Sequence, residues 1–206
     1  MSDTVEVGIS ALDAFDKRVD AAFDRLRGQP RIDRAAALIS NAADYGLVWV
    51  VIAGLKARRR GAGRRRAVVA LGSAGFSSLG LSRVVKEAVE RQRPDAHLDA
   101  MVRTPTSSSF PSGHTLAAFT TAVVLSEGDA QTAAAVGFAG AVAVCRVLLR
   151  AHHPSDVIGG AVIGSLLGLL LRPVVNLLTP GRKGRKRRPR GRRSGMKGQD
   201  HLLIRL

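Results

Sequence analysis

Three short clusters of the sequence hold the residue types best suited to chemistry. Their members are Lys86 and Arg93, then Ser112, Gly113 and His114, and finally Arg146, His152 and Asp156. Lysine and arginine bind phosphate oxygens, arginine through a planar fork of donors. Two histidines can divide the work of phosphoryl transfer, because one can attack while unprotonated and the other can protonate the leaving oxygen. The clusters therefore predict a phosphate-transfer site.

The spacing within the clusters supports this prediction. Asp156 follows His152 by four residues, so on a helix that has already begun it would accept from the ring N–H and fix the tautomer. Ser112 and the N–H of Gly113, at the start of a helix, would add donors where the helix dipole favours an anion. Each residue alone also fits a structural role, as a helix cap or a snorkelling cation. Only their joint occurrence favours a site.

The elements that must position these clusters are apolar. Five apolar stretches cover residues 35–55, 67–82, 116–125, 132–145 and 157–178. A spanning helix needs about 20 apolar residues, so several stretches are marginal, but their glycine, alanine and serine suit close helix packing in lipid. The alternative is a soluble helical bundle, which the uninterrupted run of the last stretch disfavours. We therefore predict an all-α, polytopic transmembrane bundle of about five helices.

The chain divides into three parts. Residues 1–30 predict an N-terminal amphipathic helix that ends at Gly28-Gln29-Pro30 and lies either on the membrane surface or against the bundle. Residues 31–180 form the predicted membrane-embedded phosphatase domain. Residues 181–206 are mostly arginine, lysine, glycine and proline, which cannot build a core and predict a disordered tail.

The net charge of +16 comes from two basic blocks. Residues 56–66 and 181–206 together carry 18 basic residues and one acidic residue, so the rest of the chain is nearly neutral. Because cytoplasmic loops are enriched in lysine and arginine, both blocks are predicted to be cytoplasmic. The three clusters then lie on the extracytoplasmic side of a multi-pass protein of the cell membrane. The same rule leaves residues 1–30 outside, and this slightly acidic segment is either translocated or does not cross the membrane at all.

The clusters resemble the signature of the type 2 phosphatidic acid phosphatase family, whose site architecture is shared with vanadium haloperoxidases. The family pattern is Lys-x6-Arg-Pro, then Pro-Ser-Gly-His, then Ser-Arg-x5-His-x3-Asp. This chain reads KEAVERQRP at 86–94, PSGH at 111–114 and CRVLLRAHHPSD at 145–156. It departs from the pattern at Cys145, where the family usually has serine, which puts fine positioning in question.

The resemblance implies a role for each motif residue. His152 is the implied nucleophile, Asp156 its orienting partner and His114 the general acid. The implied phosphate-binding residues are Lys86, Arg93, Ser112, Gly113 and Arg146. The resemblance also implies a helical bundle and hydrolysis that needs no metal and no cofactor.

The favoured function is metal-independent hydrolysis of a lipid phosphate or pyrophosphate, through a phosphohistidine at the extracytoplasmic face. Phosphatidic acid, phosphatidylglycerol phosphate, polyprenyl phosphates and polyprenyl-linked sugar phosphates are all candidates; similarity to small bacterial family members favours the polyprenyl lipids. A haloperoxidase is disfavoured by the hydrophobic helices. The alternative is a membrane-tethered binder of nucleic acid or anionic lipid headgroups through the 181–206 tail. Deleting the tail would separate the two functions.

Overall fold

The structure, a computed structural model, describes residues 2–44, 51, 54, 62–76, 80–94, 106–126 and 130–178. The described residues form seven helices: α1 (Ser2–Asp24), α2 (Pro30–Asp44), α3 (Ala62–Phe76), α4 (Ser82–Val89), α5 (Gly113–Leu125), α6 (Ala130–Leu148) and α7 (Pro154–Leu178). These residues contain no strand, and the predicted all-α fold is confirmed.

The predicted stretches coincide best with the three last helices. Each of these stretches lies inside one helix, and α7 continues through Pro173 as predicted. The stretch 67–82 is divided, because α3 ends at Phe76 and α4 begins at Ser82. The predicted loop 56–66 is wrong for its last five residues, which start α3 because arginine and alanine are strong helix formers. The rest of that loop, the end of the stretch 35–55 and the tail 181–206 lie outside the described residues.

Among the described helices, one is long and apolar enough to cross a membrane. It covers Pro154–Leu177 in α7, with a mean hydropathy of 1.9, and the apolar segments of α5 and α6 are shorter. Only 22% of its apolar window is buried in the protein. Leu170 is 73% exposed and Leu177 is 81% exposed. An apolar face of this kind is unfavourable in water and is typical of a membrane protein.

Three glycines let α5 and α7 approach at backbone distance. Gly160, Gly164 and Gly168 recur every four residues and so line one face of α7. A Cβ on Gly160 would lie 2.7 Å from the backbone oxygen of Ser112, and one on Gly164 would collide with the backbone oxygen of Leu116. Since no side chain separates the helices, the start of α5 is fixed against the start of α7.

The N-terminal helix packs on the bundle, the second of its two predicted placements. The turn after α1 carries Arg27, whose side chain donates to the backbone oxygens of Val147 and Leu148 at 2.9 Å each. These carbonyls belong to the end of α6, where a helix leaves acceptors unused. Arg27 also pairs with Asp20 at 2.5 Å and with Asp24 at 2.6 Å. Polar contacts therefore attach α1 to the bundle.

Candidate active site

The three clusters meet at the ends of α4, α5 and α7. Arg93 Nη1 lies 3.3 Å from His152 Nε2, which joins the first cluster to the third. The backbone N–H of Ser112 donates to the backbone oxygen of Asp156 at 3.0 Å, which joins the second cluster to the third. The structure thus brings together motifs that are about seventy residues apart in sequence.

Two left-handed residues turn the chain into the site. Glu90 has φ 44° and ends α4, its N–H donating to the backbone oxygen of Lys86 at 3.2 Å. Arg150 has φ 52° and follows α6. Such a φ is costly for a residue with a Cβ and is concentrated at functional sites. The first turn leads to Arg93 and the second to His152.

His152 is buried between an acceptor and a donor. Its Nδ1 lies 2.7 Å from the backbone oxygen of Ser109, which can only accept, so Nδ1 carries the ring proton. Its Nε2 faces Arg93, which can only donate, so Nε2 keeps its lone pair. The pKa of His152 is lowered to about 3, mainly by burial and further by the Arg146 and Arg93 cations, while the Asp156 carboxylate opposes the shift. The ring is therefore neutral, and the lone pair of Nε2 points toward Arg93.

Asp156 is fully buried in the first turn of α7, close to the His152 ring. Its Oδ2 lies 3.8 Å from His152 Nδ1, which is longer than a hydrogen bond. The prediction that Asp156 accepts from the ring N–H is therefore wrong, and the backbone oxygen of Ser109 accepts that hydrogen bond. The backbone N–H of His153 donates to Oδ2 at 2.8 Å, and Arg91 Nη1 donates to Oδ1 at 2.6 Å. Asp156 thus stands beside the ring as a fixed negative charge.

The cations of the first cluster are half-buried at a pocket. Lys86 Nζ lies 3.5 Å from Ser107 Oγ, and Arg93 Nε donates to the backbone oxygen of Ser107 at 3.0 Å. Burial lowers the pKa of Lys86 to about 8, the neighbouring Arg93 and Arg146 cations lower it further, and Asp156 opposes them. Lys86 therefore belongs to the same electrostatic site as the third cluster.

Arg146 supports the site from beneath. It is fully buried, and its Nη1 donates to Ser40 Oγ on α2 at 2.8 Å. Its backbone oxygen accepts from the N–H of His152 at 3.3 Å and so holds the turn that carries this histidine. Cys145 beside it packs in an apolar cluster with Ala36. The departure from the family pattern thus falls on a core position.

The second cluster forms the start of α5. Ser112 is fully buried in the N-cap position, and its hydroxyl accepts from Thr115 Oγ1 at 3.1 Å. A Cβ on Gly113 would lie 3.4 Å from Ser82 Oγ, so this glycine admits close contact with α4. Gly113 and His114 are half-buried in the first turn, where backbone N–H groups lack acceptors within the helix. The predicted helix start at Gly113 is confirmed, and anion binding there stays a prediction.

A pocket of about 940 Å³ opens over the first cluster. Its lining combines cations, carboxylates and hydroxyl or amide groups: Arg83, Lys86, Arg91 and Arg93, then Glu87 and Glu90, then Ser82, Gln92, Thr106, Ser107 and Ser108. Such a lining suits a charged, hydrogen-bonding headgroup. Within the described ranges, no three His, Cys, Asp or Glu side chains group as metal ligands.

Sequence reasoning missed four residues of this site. Ser109 accepts from the His152 ring and Arg91 donates to Asp156, while Asp16 and Ser155 both accept from Arg91. Arg91 could have been noticed as a third cation between Lys86 and Arg93, although no motif includes it. Ser109 acts through its backbone oxygen, which leaves no mark in the sequence. Asp16 is one of several charges on α1, and nothing in the sequence singles it out.

The chain belongs to the PAP2 superfamily, whose family model matches residues 66–180. It is 33% identical over 137 residues to the decaprenylphosphoryl-5-phosphoribose phosphatase of Mycolicibacterium smegmatis, covering 66% of this chain and 74% of that protein. It is 33% identical over 156 residues to the protein of the same name from Mycobacterium tuberculosis, covering 75% and 86%. The predicted enzyme, a phosphatase that acts on a lipid phosphate, is thereby confirmed as a class.

Two solved structures share the fold. The first transmembrane PAP2 type phosphatidylglycerolphosphate phosphatase from Bacillus subtilis matches with a TM-score of 0.65 and 28% identity, over 84% of this chain and 90% of that one. Aquifex aeolicus LpxE matches with a TM-score of 0.57 and 24% identity, over 74% and 92%, and shows the fold alone. The predicted membrane phosphatase architecture is confirmed.

Proposed function

We propose that this phosphatase acts through a phosphohistidine on His152 and needs no metal. The observation that carries the proposal is the state of the ring: Nδ1 bound to the Ser109 backbone oxygen at 2.7 Å, and Nε2 facing Arg93 at 3.3 Å. A neutral imidazole with a directed lone pair is what attack on phosphorus requires. The guanidinium at that lone pair marks where a phosphate would be held.

The reaction has two steps. In the first, Nε2 of His152 bonds to phosphorus, the bond from phosphorus to the lipid oxygen breaks, and His114 protonates that oxygen. In the second, His114 takes a proton from water, the water oxygen bonds to phosphorus, the N–P bond breaks and inorganic phosphate leaves. The ring is positively charged in between, and the Asp156 carboxylate 3.8 Å away stabilises it.

Phosphate binding falls to the cations and to the start of α5. Lys86 and Arg93 line the pocket. The substrate phosphate would take the place of the Arg93 guanidinium next to His152 Nε2, and Arg93 would then bind the phosphate oxygens. Gly113 offers its N–H from the helix start. Arg146 and Ser112 are fully buried; Arg146 adds a positive charge that acts on Lys86 and His152, and Ser112 is a neutral residue at the helix start.

The substrate we propose is a polyprenyl-linked sugar phosphate. Both mycobacterial relatives, at 33% identity, are named for decaprenylphosphoryl-5-phosphoribose. The pocket supports a sugar, because carboxylates and hydroxyl groups stand beside its cations and can bond sugar hydroxyls. The exposed apolar face of α7 begins at the site and supports access from a lipid layer.

In the topology we propose, the chain crosses the cell membrane several times and this site lies on the extracytoplasmic side. The two basic blocks support that orientation, because both would then face the cytoplasm. Anionic lipid headgroups are the proposed partners of the tail 181–206.

The test is phosphate release by detergent-purified protein in EDTA. The panel is phosphatidic acid, phosphatidylglycerol phosphate, a polyprenyl pyrophosphate and decaprenylphosphoryl-5-phosphoribose. We expect His152→Ala to abolish release and His153→Ala to leave it within about twofold, since His153 bonds to Asp156 through its backbone N–H and carbonyl, which alanine keeps. Labelled substrate should leave base-stable phosphate on wild type and none on His152→Ala.

Equal activity of wild type and His152→Ala would refute the mechanism, and activity lost in EDTA would refute its metal independence. A preference for phosphatidic acid would refute the proposed substrate alone. Deleting residues 181–206 should leave turnover unchanged; loss of turnover would instead favour the tail-based function.

A further inference from the structure

The most unusual residue of α1 is Asp16. It is 4% exposed, whereas Phe15 beside it is 40% exposed, the reverse of what an amphipathic helix normally does with these residue types. A buried carboxylate is costly unless it is fully paired. The structure supplies three donors to Asp16: the Ser155 N–H at 2.8 Å, the Ser155 hydroxyl at 2.7 Å and Arg91 Nη2 at 2.6 Å.

Arg91 connects this carboxylate to the catalytic one. Its Nη2 donates to Asp16, while its Nη1 donates to Asp156 Oδ1 at 2.6 Å and to Ser155 Oγ at 2.7 Å. The planar fork therefore bridges two carboxylates, a geometry that a lysine cannot reproduce. Burial acts to lower the pKa of Arg91, but Asp16 and Asp156 outweigh it and the net shift is upward, so the bridge stays charged.

The backbone of Arg91 reaches the other partner of the nucleophile. Its N–H donates to Ser108 Oγ at 3.0 Å, and its carbonyl accepts from the Ser109 N–H at 2.8 Å. Ser109 in turn holds His152 Nδ1 at 2.7 Å. One residue thus fixes the two groups beside Nδ1 of the ring, the Asp156 carboxylate through its side chain and the Ser109 carbonyl through its main chain.

We infer that Asp16 and Arg91 are positioning residues of the phosphatase, and that α1 is a working part of its active site. The inference rests on the proposed role of His152. Asp16 lies outside the residues 66–180 that match the superfamily, so α1 supplies it as an addition to the matched domain. Helix α1 is then held by the site as well as by the bundle.

The charge balance explains what Asp16 contributes. Among the buried groups, Asp16 and Asp156 carry two negative charges and Arg91 one positive charge, which leaves one negative charge beside the His152 ring; Asp13, 3.8 Å from Arg91 Nη2, is mostly exposed and is screened by solvent. Replacing Asp16 by asparagine keeps the side-chain shape but leaves Arg91 and Asp156 to cancel each other. The positively charged ring of the phosphohistidine then loses its counter-charge. This effect acts on the reaction step and not on substrate binding.

The experiment compares Asp16→Asn with Asp24→Asn, a matched substitution on the same helix. Asp24 forms ion pairs with Arg27 and Arg150. Within the part of the chain that the structure describes, it forms no ion pair with Arg91. The substrate is the panel lipid that wild type hydrolyses fastest. We expect Asp16→Asn to lower kcat about tenfold with unchanged KM, the scale of one charge acting through a neighbouring residue. Asp24→Asn should stay within about twofold of wild type.

A double-variant cycle tests the route through Arg91. Because Asp16 acts through that guanidinium, the double variant Asp16→Asn/Arg91→Gln should be no slower than the slower single variant. The inference is overturned if the kcat losses of the two single variants multiply in the double variant, or if Asp16→Asn and Asp24→Asn lower kcat equally. It is also overturned if a folded Asp16→Asn changes only KM or keeps wild-type kcat. Folding is followed by thermal unfolding in detergent.

If Asp16→Asn does not fold, Arg91→Lys decides the question, because it keeps the positive charge but cannot bridge Asp16 and Asp156. A folded Arg91→Lys with lowered kcat supports the inference, and one with wild-type kcat overturns it. His152→Ala in the same assay separates the two proposals. If His152→Ala is active, the proposed function has failed; if it is inactive while Asp16→Asn is unimpaired, only the role of Asp16 has failed.

Discussion

Two kinds of interaction hold the molecule together: close backbone packing joins α5 to α7, and ionic hydrogen bonds attach α1. The first depends on absent side chains: Gly160 and Gly164 bring two backbones together, and one added carbon would collide with the facing helix. The second depends on charges: Asp16 and Arg27 each make several ionic hydrogen bonds to other elements. The active site lies where these regions meet. Shape therefore sets the relative position of its helices, and charge sets the state of its catalytic groups.

Adding one methyl group to the shape-dependent contact should have the largest effect. We expect Gly164→Ala to lower the free energy of unfolding by about 3 kcal/mol, because the facing group is the Leu116 backbone and cannot rotate away. The control is Gly140→Ala on α6, where a Cβ would meet nothing within 4 Å. That substitution should be neutral or stabilising by up to about 1 kcal/mol. Thermal unfolding in detergent measures both, and equal stability of the two variants would contradict the shape argument.

Removing one guanidinium from the charge-dependent contact should cost less. Arg27 is nearly buried and donates to two carbonyls at the end of α6. We expect Arg27→Met to cost about 2 kcal/mol, since those acceptors lose charged donors. Amide hydrogen exchange should quicken in α1 and stay unchanged in α5. Arg25→Met, at an exposed position of the same turn, should change neither helix; faster exchange in both helices of Arg27→Met would mean that α1 is not a separately attached element.

The pH dependence of the site sharpens the same comparison. Lys86 has a pKa lowered to about 8, so it is charged below that pH and neutral above it. Because the proposed phosphate binding needs the charge, kcat/KM should fall about fivefold between pH 8 and pH 9, and about tenfold per pH unit above that. Lys86→Arg should move this fall upward by more than one pH unit, since arginine stays charged. An unchanged alkaline limb in Lys86→Arg would show that another group causes it.

The sequence predicts those parts of the molecule whose signals are local. The uninterrupted apolar residues of α5, α6 and α7 predict those helices, and Pro111-Ser112-Gly113 predicts where α5 begins. The apolar residues, which begin at residue 35, predict a later start for α2 than the structure shows. The helix begins at Pro30, because proline suits the first helical position and Asp33 suits the first turn. Motif spacing predicts that Lys86, Arg93, Ser112 and His152 converge.

The missed residues depend on information that is not local. Asp16 and Arg91 are 75 residues apart, and their pairing is decided by how α1 lies on the folded bundle. On the sequence alone, Asp16 is an ordinary charge on an amphipathic helix. The acceptor for the His152 ring was assigned to Asp156 because of its spacing, but a backbone oxygen of residue 109 lies closer. Every residue has such an oxygen, so no residue type reveals it.

The hydrogen bonds from Ser155 to Asp16 span 139 residues of sequence. At about 5–20 residues per second, a ribosome makes Ser155 roughly 7–30 seconds after Asp16. Throughout that interval the α1 carboxylate has no donor from α7, although Arg27 can already bind the carbonyls at the end of α6. A nascent chain therefore holds α1 by its contact with α6 first, and completes the hydrogen bonds around Asp16 only when α7 has been made.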